Sequence, residues 1–385
     1  MQIIKNGKLI LDDKIIEADL AIENGKICCV GECDCAKDAE VIDAAGKYVS
    51  PGFIDIHTHG AAGFDFALSK ADEIAKAADY HMSHGTTTIY PTVTSSAKET
   101  ILSALEQIKK CITLKLSKTN ILGAHLEGPY FSKEMCGAQN TEFITEPIEK
   151  DYKEIVEKFG DVVKRWSYAP ENDTTGAFCK YITENGILSS AGHSAAQLKD
   201  MRVAMDNGCK CVTHLYSATS TIIRELGFRK LGIIETAFLY DDLYVEIIAD
   251  GKHLPPDLIK LIYKIKGADK VCMVTDSLAV AGTDDVTGEI GGTKFIKEDG
   301  VCKLLDRSAF AGSIATTDRL VRVCVQEVGM PITEAIKMMS KTPAEYLGLN
   351  KGQIKKGFDA DLVIFDDNID VKCVMVGGDV TYKAM

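Results

Sequence analysis

Eight short apolar runs recur through the middle of the chain: GFIDIH, TTTIYPT, ILGAHLE, KRWSYAPE, GILSSAGH, CKCVTHL, YVEIIAD and VCMVTDS. Between them lie stretches such as KADEIAKAADYHMSHG, KETILSALEQIKKCI, AAQLKDMRVAMDNG and PPDLIKLIYKIKG. These carry apolar residues at helical spacing, and most end at glycine, as helices commonly do. Strand-type runs alternating with amphipathic helices call for a parallel sheet covered by helices. Eight such units, assigned to residues 51–349, suit a closed (β/α)₈ TIM-type barrel better than an open doubly wound sheet.

The flanks read differently. Residues 1–50 and 350–385 contain short segments that alternate apolar and polar residues, among them NGKLI, NGKICCVG and DLVIFD, broken by Asn-Gly and Gly turns. Such β segments at opposite ends of one chain can pair, so a small β-sandwich built from both termini is expected beside the barrel. Its register does not follow from the sequence.

Polar groups close the apolar runs at their C-terminal ends, which form the catalytic face of such a barrel. They are His57 and His59 in GFIDIHTHG, Glu127 in AHLEGPY, His193 in SAGHS, His214 in VTHLY and Asp276 in VTDS. The chain has eight histidines, and four fall in this set. His57 and His59 are two apart and share one side of a strand. Imidazole and carboxylate groups converging at strand ends are donors for one or two divalent ions, with zinc or iron favoured and manganese or cobalt also suited. Such ions make hydroxide from water at neutral pH. His125 lies one step deeper than Glu127 and is expected to pack in the core. Asp276 is the candidate general base, since a carboxylate beside an activated water can accept its proton and pass it to a leaving nitrogen.

Net charge of −12 disfavours nucleic acid and anionic membranes as partners. It does not exclude a small anionic substrate, because a local cationic cradle outweighs a diffuse field at contact distance. The segment MQIIKNGKLILDD lacks the layout of a signal peptide and no apolar run is long enough for a bilayer span, so a cytoplasmic protein is expected. Thirteen cysteines, an odd number at scattered spacing, read as reduced thiols. The Cys28, Cys29, Cys33 and Cys35 cluster reads as a thiol-rich strand and turn, because neighbouring strand residues face opposite ways.

The ordered segments PGFIDIHTHG, HLEGPY, GAQ, AGHS, THLYSA, IIADGKH and VTDS resemble the amidohydrolase superfamily, and within it the N-acetylglucosamine-6-phosphate deacetylase family. The resemblance implies hydrolysis of the N-acetyl amide of an N-acetylhexosamine 6-phosphate to acetate and an amino-sugar phosphate. By position, Glu127, His193 and His214 would hold a main metal, His57 and His59 a second, and Asp276 would be the acid/base. His253 matches a substrate-binding histidine. Gln139 stands where some members have a histidine that polarises the carbonyl. Where the family has Asn-Ala-Met this chain has Ser217, Ala218 and Thr219, so a serine replaces a phosphate-binding asparagine. The family's phosphate-binding arginine, often donated by a neighbouring subunit, falls near Arg224, with Arg229 as its rival; sharing of this kind would require a homodimer. Other readings are a hydrolase of a different N-acyl sugar or cyclic amide, and an inactive metal-binding barrel.

Overall fold

The computed structural model describes residues 1–33 and 39–384. Its centre is a nearly closed parallel barrel whose eight strands coincide with the eight apolar runs. In order they are Phe53–Thr58, Thr86–Thr94, Ala124–Glu127, Val163–Tyr168, Leu188–Ala191, Cys211–Val212, Tyr244–Ile247 and Val271–Met273. The circle closes between strands eight and one. There, the Asp276 amide donates to the His57 carbonyl at 2.9 Å and the His59 amide to the Ser277 carbonyl at 2.8 Å. Inside this seam the buried Asp55 carboxylate accepts the Thr275 hydroxyl at 2.6 Å. Closure therefore runs through the residues beside three of the predicted site groups.

Helices cover the barrel where the sequence spacing predicted them, at Ala71–Ser83, Lys98–Thr113, Leu198–Asp206 and Pro256–Lys266. Each turns an apolar stripe inward; Ile101, Ala104, Leu105 and Ile108 do so in the second. No helix among the described residues is long and apolar enough to cross a membrane.

Both termini build one further sheet. Its path runs from Asp379–Lys383 through Val371–Val376 and Leu362–Phe365 to Tyr48–Pro51, then to Gln2–Ile10, Ile15–Glu23 and Lys26–Gly31. The two ends of the chain meet where Leu362–Phe365 pairs antiparallel with Tyr48–Pro51, Val363 opposite Ser50. Strand alternation then serves two cores at once. Leu362 and Ile364 join Ile4, Leu9 and Leu20 inside the terminal sheet, whereas Val363 and Phe365 pack into the barrel core. Cys28 and Cys29 are adjacent on the outer strand Lys26–Gly31; Cys35 lies outside the described residues.

One element was not anticipated. After strand eight, Thr287–Ile290, Thr293–Glu298, Val301–Leu304 and Phe310–Gly312 form a four-stranded sheet over the barrel mouth, centred on Leu278, Ile290, Phe295 and Cys302.

Asp361 ties the terminal sheet to its surroundings. It is buried and accepts from Lys351 Nζ at 2.7 Å, the Gly377 amide at 2.7 Å and Asn120 Nδ2 at 3.1 Å. Asp361→Ala leaves Lys351 with Asp359 alone, at 2.7 Å, and deprives the Gly377 amide and Asn120 of their acceptor, and the expected loss is about 1–3 kcal/mol. A lower urea midpoint, followed by the fluorescence of the single tryptophan, Trp166, would register it.

Candidate metal centre

Each strand stops where its polar residue must leave the sheet and face the mouth. Strand five ends at Ala191, strand six at Val212 and strand eight at Met273, two or three residues before His193, His214 and Asp276. These three residues have left-handed backbones, with φ of 46°, 25° and 48°. Such conformations are costly for non-glycine residues and persist where the surroundings over-determine them, typically at functional sites. Glu127 ends strand three and is followed by Gly128 at φ 97°. A Cβ at Gly128 would come within 2.2 Å of Ser95 Oγ, so only glycine lets the chain turn away there.

Four imidazoles converge on the Glu127 carboxylate. Its Oε1 lies 3.0 Å from His214 Nε2, 3.2 Å from His193 Nε2 and 3.3 Å from His57 Nε2. Oε2 lies 3.2 Å from His59 Nε2 and accepts a 2.8 Å hydrogen bond from Gln139 Nε2. Asp276 Oδ1 closes the cluster at 3.1 Å from His59 Nε2 and 3.6 Å from His57 Nε2.

The far nitrogens of the rings decide what this cluster is for. Nδ1 of His57 faces Glu246 Oε2 at 3.1 Å, Nδ1 of His193 faces the Met135 carbonyl at 3.2 Å, and Nδ1 of His214 faces the Ser217 carbonyl at 3.1 Å. Each acceptor holds a proton on Nδ1, leaving Nε2 bare in the neutral ring. For all three to donate to Glu127 instead, three imidazolium cations would have to crowd together. His57 and His214 have centroids 5.3 Å apart, and His193 and His214 are 4.9 Å apart. Moreover, the buried His57 Nε2 has no hydrogen bond of acceptable geometry. A divalent cation among bare nitrogens and carboxylates removes both difficulties, so the residues fit such an ion. Two donor triads lie within 4.8 Å, His57–Glu127–His214 and His57–His59–Asp276, with His57 common to both.

Electrostatics follow the same geometry. Burial opposes charge on His57 and His59, but the surrounding carboxylates win; His57 is raised well above the usual imidazole value and His59 to about 9. Desolvation would raise the carboxylates, yet the facing imidazoles hold Glu127 well below its ordinary range and Asp276 below it too. Asp276 is therefore a carboxylate at neutral pH, as a proton acceptor requires.

Above the donors lies a cavity of about 240 Å³. His253 lines it, its Nδ1 held at 2.9 Å by Asp250 and its ring 4.8 Å from that of Phe310 in the mouth sheet. Ser217 and Ala218 line it as well. Gln139 also reaches the cavity, but its amide is committed: its oxygen accepts from Thr94 Oγ1 at 2.8 Å and its nitrogen orients Glu127. Arg224 and Arg229 do not line the cavity. They sit directly opposite each other on an exposed hairpin, Ile223–Glu225 with Phe228–Lys230, so their side chains share one face.

His125 packs in the core as expected, its Nε2 2.7 Å from Ser167 Oγ. Sequence reasoning missed Arg165 and Glu246. Both side chains are fully buried and form an ion pair beneath the site, with Glu246 reaching His57. The available signal was a charge in the middle of an apolar run, in KRWSY and in YVEII.

Comparison with known proteins agrees with this geometry. Residues 48–381 match the amidohydrolase family. The N-acetylglucosamine-6-phosphate deacetylase of Lysinibacillus sphaericus is 30% identical over 355 residues, 92% of this chain and 90% of that protein. The crystal structure of the Pasteurella multocida enzyme of the same name superposes with a TM-score of 0.92 at 29% identity, covering 98% of this chain and 99% of that one. A mutant of the Mycobacterium smegmatis enzyme in complex with N-acetyl-D-glucosamine-6-phosphate gives a TM-score of 0.91 at 26% identity, covering 99% of each chain.

Chelator-stripped protein should unfold at lower temperature than protein given zinc at about 100 times its dissociation constant, a gain of about 2.7 kcal/mol. In Glu127→Gln the zinc-dependent shift in melting temperature should largely disappear.

Proposed function

The chain belongs to the amidohydrolase family, and on that premise we propose that it hydrolyses the acetamide of N-acetylglucosamine 6-phosphate, releasing acetate and glucosamine 6-phosphate. The observation that carries the reading is the meeting of four imidazoles, Glu127 and an ionised Asp276 at the foot of one cavity, three of the imidazoles lining it and His57 buried just beneath. Relatives bearing the deacetylase name at about 30% identity over nearly the whole chain supply the substrate.

His57, His59, Glu127, His193 and His214 would hold one or two divalent ions, zinc or iron, with the single bare Nε2 of His57 serving one ion at a time. When bound, a divalent cation here would supply Lewis-acid charge to acidify a water and polarise the amide carbonyl. Asp276 takes the proton of the attacking water and returns it to the departing amine, which cannot leave as an anion at neutral pH. Gln139 holds the Glu127 carboxylate through its 2.8 Å hydrogen bond to Oε2. His253, anchored by Asp250, offers Nε2 to a sugar hydroxyl. Ile290, Ala309, Phe310 and Ala311 form an apolar wall against the sugar face and the acetyl methyl.

The phosphate needs cations that the chain's own cavity wall lacks. Arg224 and Arg229 face the same way on a hairpin that leaves Leu226 93% and Phe228 74% exposed, which supports a homodimer in which each hairpin serves the partner's site. Buried free thiols, among them Cys111, Cys179, Cys209 and Cys211, fit a reducing compartment such as the cytoplasm.

In Asp276→Asn, kcat on N-acetylglucosamine 6-phosphate should fall by about 10²–10⁴-fold with metal content unchanged, as elemental analysis would establish. Unaltered turnover would overturn the role of Asp276, and inactivity of the metal-loaded wild type on this sugar would overturn the function. Arg224→Ala and Arg229→Ala should raise KM for the phosphorylated sugar while leaving turnover of unphosphorylated N-acetylglucosamine alone. Light scattering should give twice the chain mass.

A further inference from the structure

Beneath the metal donors lies a polar pair that the proposed chemistry does not use. Arg165 and Glu246 are fully buried in the interior of the barrel, on strands four and seven. Burying two charges is expensive, and apolar residues of similar volume would generally serve stability as well or better. The pair is therefore better explained by what it does to its neighbour. Glu246 divides its oxygens: Oε1 meets Arg165 Nη2, while Oε2 stands 3.1 Å from His57 Nδ1 and 3.4 Å from the His214 amide. Arg165 is itself pinned, its Nη1 donating to the Ile56 carbonyl at 2.6 Å, one residue before His57.

The geometry points to Arg165–Glu246 as a positioning pair that sets the tautomer of His57. A carboxylate can only accept, so His57 must carry its proton on Nδ1 and turn a bare Nε2 towards Glu127 and Asp276. Arg165 occupies Oε1 and so leaves Oε2 as the acceptor that faces His57. Because His57 is common to both triads, its tautomer decides whether a bare Nε2 is available to an ion in either of them. This inference rests on the metal reading above.

The test follows from the chemistry of an amide at position 246. In Glu246→Gln, Arg165 still demands an acceptor, so the glutamine oxygen turns to Arg165 and its NH₂ faces His57. His57 must then accept at Nδ1 and carry its proton on Nε2, where it cannot bind a metal. In the double variant R165M/E246Q the glutamine oxygen is free to face His57 and the original tautomer returns. R165M/E246L leaves no acceptor and no buried charge. Zinc affinity and stoichiometry are measured by chelator competition and elemental analysis, with circular dichroism to verify folding. Glu246→Gln should weaken zinc binding by about 10–100-fold, R165M/E246Q should recover most of it, and R165M/E246L should remain weak. The two double variants decide the matter even if the single variant fails to fold. Equal zinc affinity in both would overturn the pair's role, since a purely structural contribution does not distinguish an acceptor from its absence. Wild-type uptake of one equivalent would set the ion count alone, and no uptake would sink the metal reading itself.

Discussion

Glu127 is one carboxylate facing four imidazoles, and most of the barrel mouth is arranged around that fact. A buried carboxylate is stable only with compensating charge. Three of the rings have Nδ1 engaged by Glu246, Met135 and Ser217, so as neutral rings they cannot also donate to it from Nε2. Crowding carboxylates and imidazoles this closely is costly, and a divalent cation would offset that cost. Left-handed backbones at His193, His214 and Asp276 add conformational strain at the same place. Both costs fall on residues whose positions the closed barrel over-determines, and this is how the fold sustains them.

Support for the donors is layered from below. Arg165 and Glu246 occupy the barrel interior under His57, while Thr275 and Asp55 lock the seam between strands eight and one. Further round, His125, Ser167, Thr213 and Ser190 form a continuous run of hydroxyl and imidazole contacts at 2.7–2.8 Å. A parallel barrel usually fills its interior with branched aliphatic side chains. Here part of that space is given to groups that fix the rotamers and tautomers of metal donors, so stability has been exchanged for orientation. The terminal sheet and its shared strand Leu362–Phe365 repay some of this by extending the hydrophobic core beyond the barrel.

The outer wall of the cavity has a different origin. Phe310 and its neighbours come from the four-stranded sheet that follows strand eight, and Phe310 packs its ring against His253. One end of the cavity is therefore polar, rigid and built on barrel strands, while the other is apolar and built on an appended sheet. The arrangement suits a substrate with a reactive amide at one end and a carbon skeleton to be held against a wall.

Much of this was legible in the residue order. Eight apolar runs with polar C-terminal ends favoured the parallel barrel over an open doubly wound sheet, because closure brings the ends of all eight strands to one common rim. His57, His59, Glu127, His193, His214 and Asp276 could be singled out as a set, since each alone has other uses at a strand end and only their common phase points to one rim. Three things required the tertiary structure. Gln139 donates one N–H to Glu127 while its oxygen accepts from Thr94, contacts that join three separate segments of the chain. Arg224 and Arg229, rivals in the linear reading, turned out to face the same way across one hairpin, a relation fixed by strand register. Arg165 and Glu246 met only through the barrel interior, across 81 residues of chain. The physical reason is the same throughout. Local sequence sets which side chains a strand presents and where it stops, whereas contacts between distant strands depend on barrel closure and register, which no single segment encodes.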